Sequence, residues 1–187
     1  MRTFVALNLP GTERERLHAA LEPLRSRRLN VRWIGAAALH VTVKFLGETD
    51  GSSVERVQDV LRHAASRHST ITLRIAGVGA FPSLRRANIV WMGVAPDAEL
   101  NALQRELEPA LSRLGFPREQ RPFRPHITVG RAERNTRAPD IERLAGLVTH
   151  EAEVTVNTID LMLSRPGAGG STYEALLRCP LGVGART

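Results

Sequence analysis

The tripeptide His-x-Thr occurs twice in this chain, each time inside a short apolar run. The first run is His40-Val41-Thr42-Val43-Lys44-Phe45-Leu46-Gly47 and the second is His126-Ile127-Thr128-Val129-Gly130-Arg131. Polar and apolar residues alternate through both, which is strand periodicity. Residues i and i+2 of a strand share a face, about 7 Å apart. Each run therefore sets an imidazole beside a hydroxyl on one face. The other face sends Val41, Val43 and Phe45, or Ile127 and Val129, into a core. Two such strands facing each other surround one small space with two histidines and two threonines. The copies lie 86 residues apart in a chain of 187, so each half of the chain contributes one.

The rest of the sequence fits strands interleaved with helices. Arg2 to Leu9 alternates as a strand. Thr12 with Glu15 forms a capping-box pattern for a helix reaching about Leu29, which Pro23 splits or kinks. Val31 to Ile34 is extended. Ser52 or Ser53 caps a second helix with Val54, Val57, Leu61 and Ala64 on its apolar stripe. Ile71 to Ile75 and Asn88 to Val94 read as strands, joined by a loop holding Gly77, Gly79, Phe81 and Pro82. Asp97 caps a third helix with Leu100, Leu103, Leu107, Leu111 and Leu114 at helical spacing, and Gly115 closes it. A short helix falls near Pro139 to Val148. Glu153 to Leu163 reads as one long strand and Tyr173 to Cys179 as the last, with frayed residues from Leu181 on. Consecutive strands without helices between them imply antiparallel pairing. The expected fold class is α+β, a single domain over residues 1–187 made of two similar lobes.

Composition narrows the partners. The formal charge is +7, and of the 26 basic residues only Lys44 is a lysine. Arginine excess reflects base composition as much as function, yet the net charge favours an anionic partner such as RNA or a nucleotide. Cys179 is the sole cysteine, so no intrachain disulfide forms, as suits a reducing cytoplasm. No run approaches the roughly 18–20 apolar residues that span a bilayer, and Met1 to Pro10 has no signal-peptide pattern. A cytoplasmic monomer is expected.

Paired histidines and threonines suit acid–base chemistry on a phosphate. Opening a cyclic phosphodiester needs one group to take a proton from water and another to protonate the leaving ribose oxygen. Histidine does either near neutral pH. Thr42 and Thr128 can donate to nonbridging oxygens as their charge grows. The two imidazoles should titrate as a coupled pair. The sequence leaves open which is acid and which is base, with a slight preference for His40 as acid. Strand periodicity puts Lys44 on the His40 face, within reach of the phosphate. Arg131 points away from His126 unless the strand bulges at Gly130. Phe123 either stacks a base or packs in the core.

His18, His63, His68 and His150 lack this setting and read as solvated. No His, Cys or Asp cluster has zinc-ligand spacing, so neither metal nor cofactor is expected. Gly77-Val78-Gly79 and Gly167-Ala168-Gly169-Gly170 lack the phosphate-loop pattern. They read as turns, the second a lid that would bring Tyr173 near substrate.

At these residues the chain resembles the 2H phosphoesterases, and within them the RNA 2′,3′-cyclic phosphodiesterases, also called 2′-5′ RNA ligases. Trp33 with Leu39 to Gly47 is similar to the family's W…LH-T-KFLG segment, and Gly79 to Pro82 to its G-x-FP loop. Arg121 to Arg131 resembles FRPH-T-x-x-R, and Ser164 through Tyr173 the S…G..Y end. The resemblance implies two antiparallel sheets lining a V-shaped cleft, with helices on the outer faces. It implies metal-independent hydrolysis of a terminal 2′,3′-cyclic phosphate to a 2′-phosphate. His40, Thr42, His126 and Thr128 would be catalytic, Arg131 a phosphate contact, and Phe123 and Tyr173 base or ribose contacts. Gly130 stands where the family often has alanine, a departure expected to matter little. Ligation of tRNA halves through a 2′-5′ bond, hydrolysis of a small cyclic nucleotide, and binding without turnover are the competing expectations.

Overall fold

The computed structural model describes residues 1–133, 138–167 and 170–182. The chain opens with strand β1 (Arg2–Asn8), helices α1 (Gly11–Ala20) and α2 (Glu22–Arg25), and strand β2 (Val31–Trp33). A 3-10 turn at Ala36–Ala38 leads into the first motif strand, β3 (His40–Glu48). Helix α3 (Gly51–Arg67), strands β4 (Ile71–Ser83) and β5 (Arg86–Val94), and helix α4 (Ala98–Arg113) precede the second motif strand, β6 (His126–Ala132). Helix α5 (Glu142–Ala145) and strands β7 (Glu151–Val156), β8 (Thr158–Arg165) and β9 (Thr172–Pro180) complete it.

The fold is α+β with a large antiparallel sheet. Its strand order is β7-β4-β5-β6-β3-β1-β8-β9, and β2 pairs with β6. The two sheets expected from the sequence meet edge to edge, because the motif strands β3 and β6 pair at Val41 and Ile127. Each motif strand is thus the inner member of a four-stranded half, β3-β1-β8-β9 or β6-β5-β4-β7. Helix α3 packs on α4, β8 and β9, and α4 packs on β3. Their leucine stripes join Val41, Val43, Ile127 and Val129 in the main core. Each such side chain contributes about 1.5–3 kcal/mol by leaving water. A second, small apolar cluster (Phe4, Ala6 and Met162, with Tyr173 and Ala175 beside them) forms separately from that core.

Several local expectations change. Helix α1 begins at Gly11 behind Pro10, whose φ of −53° is already helical, and no side chain caps it. Thr12 falls inside the first turn, where it cannot act as the cap. The break comes at Leu21, with Pro23 in the first turn of α2. Helix α3 is capped by Asp50, which accepts from the Ser53 N–H at 2.8 Å. Asp97 caps α4 as expected, and Gly115 follows it at φ +95°. Strand β4 runs on through the expected loop to Ser83.

The single strand expected over 153–163 is two strands at opposite parts of the sheet, split at Asn157. Buried Val154 and Val156 are followed by Ile159 and Leu161, so the apolar phase slips by one residue there. Leu181 is held rather than frayed: it is buried, and its N–H donates to Asn157 O at 2.8 Å. Ala168 and Gly169 of the expected lid, and residues 183–187, lie outside the described residues. His68 is also not solvated. It is buried at the end of α3, with Nδ1 2.9 Å from Glu99 and Nε2 3.0 Å from Glu106.

Candidate active site

The two motif strands present their histidines in the same way. His40 Nδ1 lies 2.8 Å from Ala38 O, and His126 Nδ1 lies 2.7 Å from Arg124 O, in each case the carbonyl two residues upstream. A carbonyl only accepts, so both Nδ1 atoms carry the proton and both Nε2 atoms are left for chemistry. His40 Nε2 is 3.1 Å from Thr42 Oγ1. The ring of each histidine lies against aromatics from other strands of its own half of the sheet. His40 is 4.9 Å from Phe4 on β1 and 5.1 Å, edge-on, from Tyr173 on β9. His126 is 5.3 Å, edge-on, from Phe81 on β4 and 6.1 Å from Trp91 on β5.

The imidazoles sense each other across the joined strands. His40 is pushed down from 6.5 to about 4, chiefly by burial; the bond to Ala38 O opposes this, and the charges of Arg131 and His126 add to the fall. At pH 7 the ring of His40 is therefore neutral and able to accept a proton.

Beyond the threonines both strands gain an extra residue. Along β3 the register steps from Ala6 opposite Thr42 to Val5 opposite Lys44, leaving Val43 without a partner. Along β6 it steps from Trp91 opposite Thr128 to Val90 opposite Gly130, leaving Val129 without one. Such a bulge reverses which side chains face which side. Arg131 is thereby exposed on the histidine side, as a bulge near Gly130 would require.

The same device overturns the expectation for Lys44. It is only 6% exposed, paired through Nζ with Glu108 of α4 at 2.7 Å and donating to Pro117 O at 2.8 Å. It serves the helix side and does not reach toward the histidines. Phe45, expected in the core, takes the vacated direction and is 68% exposed, 6.2 Å from Phe4. Phe123 is half-buried and packs on the main core. Tyr173 lies against His40 and Phe4.

Gly130 matters more than expected. A Cβ there would lie 2.6 Å from Val31 Cγ1 and 3.0 Å from Trp33 on β2. Phe4, Phe81 and Trp91 were not singled out from sequence as site residues. Phe4 and Trp91 sit in alternating strands, the usual mark of core packing, and Phe81 was read in a loop; only the ring contacts across the sheet show what they line. Among the described residues, no group of three or more His, Cys, Asp or Glu is placed to hold a metal ion. No helix among them is long and apolar enough to cross a membrane.

Two strands, each bearing His and Thr on one face and abutting at the middle of an antiparallel sheet, define a two-histidine phosphoesterase scaffold. The chain belongs to the 2′-5′ RNA ligase superfamily of 2H phosphoesterases, whose family model matches residues 13–167. It is 35% identical over 144 residues to an RNA 2′,3′-cyclic phosphodiesterase of Archaeoglobus fulgidus, covering 76% of this chain and 80% of that one. The enzyme of the same name from Methanothermobacter thermautotrophicus is 27% identical over 165 residues, covering 88% and 89%. Among solved structures, TT0787 of Thermus thermophilus superposes with a TM-score of 0.83 at 25% identity, covering 98% of this chain and all of that one. E. coli LigT complexed with 3′-AMP gives 0.77 at 26% identity, covering 96% and 97%.

Proposed function

We propose that this protein is an RNA 2′,3′-cyclic phosphodiesterase, a monomeric hydrolase that opens a terminal cyclic phosphate to a 2′-phosphate without a metal. The observation that carries the reading is the matched pair of imidazoles. Both are anchored at Nδ1 by the carbonyl two residues upstream, both keep Nε2 for proton transfer, and they are near enough to influence each other. The names of the relatives support the same substrate.

In this reading water attacks phosphorus as the bond to the ribose 3′ oxygen breaks. One imidazole takes the proton from water and the other gives a proton to the departing 3′ oxygen, leaving a 2′-phosphate and a 3′-hydroxyl. His40, held neutral by burial, is assigned the proton from water, and His126 the leaving oxygen. That reverses the slight preference drawn from sequence. Thr42 and Thr128 donate to nonbridging oxygens, and Arg131 supplies charge that grows in value as the transition state forms. Tyr173, whose ring lies 5.1 Å edge-on from His40, is assigned a ribose or base contact.

The test is turnover of RNA ending in a 2′,3′-cyclic phosphate, in EDTA. His40→Ala and His126→Ala are each expected to lower kcat by about 10²–10⁴-fold. A substrate with sulfur in place of the 3′ oxygen needs no acid, so it should rescue His126→Ala and not His40→Ala. Rescue of His40→Ala instead would swap the two roles. Undiminished activity in both variants would overturn the reading. Tight RNA binding with no product across a wide pH range would mark a binding module instead. Because the family description names ligation, tRNA halves offered to the same enzyme test the reverse reaction.

A further inference from the structure

The segment Gly79-Ala80-Phe81-Pro82 carries no acid, base or charge, yet its Phe81 ring lies against His126. In β4, Gly79 and Phe81 share a face. Opposite Gly79 on β5 is Trp91, and opposite Trp91 on β6 is Thr128. Directly paired residues share a face, so this is the face that carries His126 and Thr128. A Cβ at Gly79 would run into Cη2, Cζ2 and Cζ3 of Trp91. The indole therefore lies down across the bare backbone of Gly79.

Three rings then meet in a triangle. Phe81 is 5.4 Å from Trp91 and 5.3 Å, edge-on, from His126, and Trp91 is 6.1 Å from His126. Strand β4 does not pair with β6, so Phe81 reaches His126 across the strand between them. Trp91 Nε1 is buried with no hydrogen-bond partner among the described residues. Buried donors are nearly always satisfied, and exceptions gather where a side chain is placed for what it supports.

His126 needs that support more than His40 does. His40 is fixed at both ring nitrogens, by Ala38 O and by Thr42 Oγ1. Among the described residues, His126 has one hydrogen bond, from Nδ1 to Arg124 O. A single hydrogen bond fixes one point of a ring and leaves its tilt open. Aromatic packing has preferred angles, and two rings inclined at 41° to each other restrict the tilt of a third. We propose that Phe81, seated on Trp91, is a positioning residue that holds the His126 imidazole with Nε2 toward the cyclic phosphate. The proposal rests on the phosphodiesterase reading and adds what keeps one of its two proton-transfer groups aligned.

The test is Phe81→Leu, with Phe81→Tyr as the variant that keeps the ring. Phe81 is half-buried and leucine keeps an apolar side chain there, so the fold is retained. If it is not, Trp91→Leu removes the seat and is read in the same way. On RNA ending in a cyclic phosphate, kcat should fall about 10–100-fold in Phe81→Leu with KM nearly unchanged, and stay within about threefold of native in Phe81→Tyr. Two comparisons separate this from a general loosening of the fold. Added to His126→Ala, Phe81→Leu should lower kcat no further, because no imidazole is left to hold. On the substrate with sulfur in place of the 3′ oxygen, Phe81→Leu should follow His126→Ala, losing its effect where that variant loses its own. Undiminished kcat in Phe81→Leu, a full further loss in the double variant, or an equal loss on both substrates while sulfur rescues His126→Ala would overturn the positioning role. Each of these leaves cyclic-phosphate hydrolysis in place. If the native enzyme opens neither substrate, the phosphodiesterase reading fails instead. The positioning role is then judged by the crystal structure of Phe81→Leu, where a displaced His126 ring supports it and an unmoved ring overturns it.

Discussion

In the half of the molecule built on β3, the two residues after the unpaired valine are Lys44 and Phe45. In the half built on β6 the same two places hold Gly130 and Arg131. The steps before this point match closely: a histidine anchored two residues upstream, a threonine, and a valine that bulges out. The first of the two places faces away from the histidines in both halves. In one half α4 brings Glu108 to that place, and a lysine long enough to reach it fits. In the other β2 crosses it, and only glycine fits. The second place returns to the histidine side. There one half offers an aromatic ring and the other a guanidinium. The same backbone device therefore yields one apolar wall, continuous with Phe4 and Tyr173, and one cationic wall.

The largest expected effect tests that division of labour. Arg131→Leu should lower kcat/KM by about 10²-fold, the scale of losing one charged group that faces the transition state. Lys44→Met, four residues past His40, should leave kcat/KM within about threefold. Its cost should appear in the urea midpoint, because it removes the cation paired with Glu108 at the edge of the core and leaves that carboxylate only the Glu119 N–H and the Gln104 amide. Steady-state kinetics on a cyclic-phosphate RNA would break the comparison if Lys44→Met lost more activity than Arg131→Leu.

The next effect is on stability and comes from the β3 half. His40 has its pKa lowered in the folded protein from 6.5 to about 4. Between those values the unfolded chain binds a proton that the folded protein refuses, so the unfolding free energy rises with pH across that window. The contribution is complete above about pH 6.5 and is lost as pH falls toward 4. It amounts to about 3 kcal/mol at most. Urea unfolding followed from pH 4 to 7 should show this slope, and His40→Asn should flatten it. An equal slope in the variant would assign the pH dependence to other groups.

The sequence made the first half of each device legible and not the second. His and Thr two apart in an apolar run define a shared face wherever the strand is regular, and both runs are regular from the histidine to the threonine. Past that point a period of two sent Lys44 toward the site and Phe45 into the core. Both assignments fail because one extra residue, visible only in the pairing with β1, reverses the alternation. The helix caps, by contrast, are local, and Asp97 was readable because the N–H groups it accepts from lie within three residues. Asp50 was missed in favour of Ser52 and Ser53 because all three are good caps and only geometry chose among them.

The smallest effect sharpens the comparison where the halves differ most in space. At Lys44 the device opens onto a helix with room for a long side chain; at Gly130 it opens onto β2 with room for none. Val31 is branched at Cβ and stiff, and it is buried, so it cannot swing aside as the tip of an arginine would. Gly130→Ala must then push β2 from β6 or shift the bulge that aims Arg131. The expected cost is about 1–3 kcal/mol in the urea midpoint. Val31→Ala should remove much of that cost in the double variant, because the clash is with its methyl group. If the two substitutions simply add, the close approach of β2 is not what holds this place to glycine, and the two halves differ there for some other reason than the strand that covers one of them.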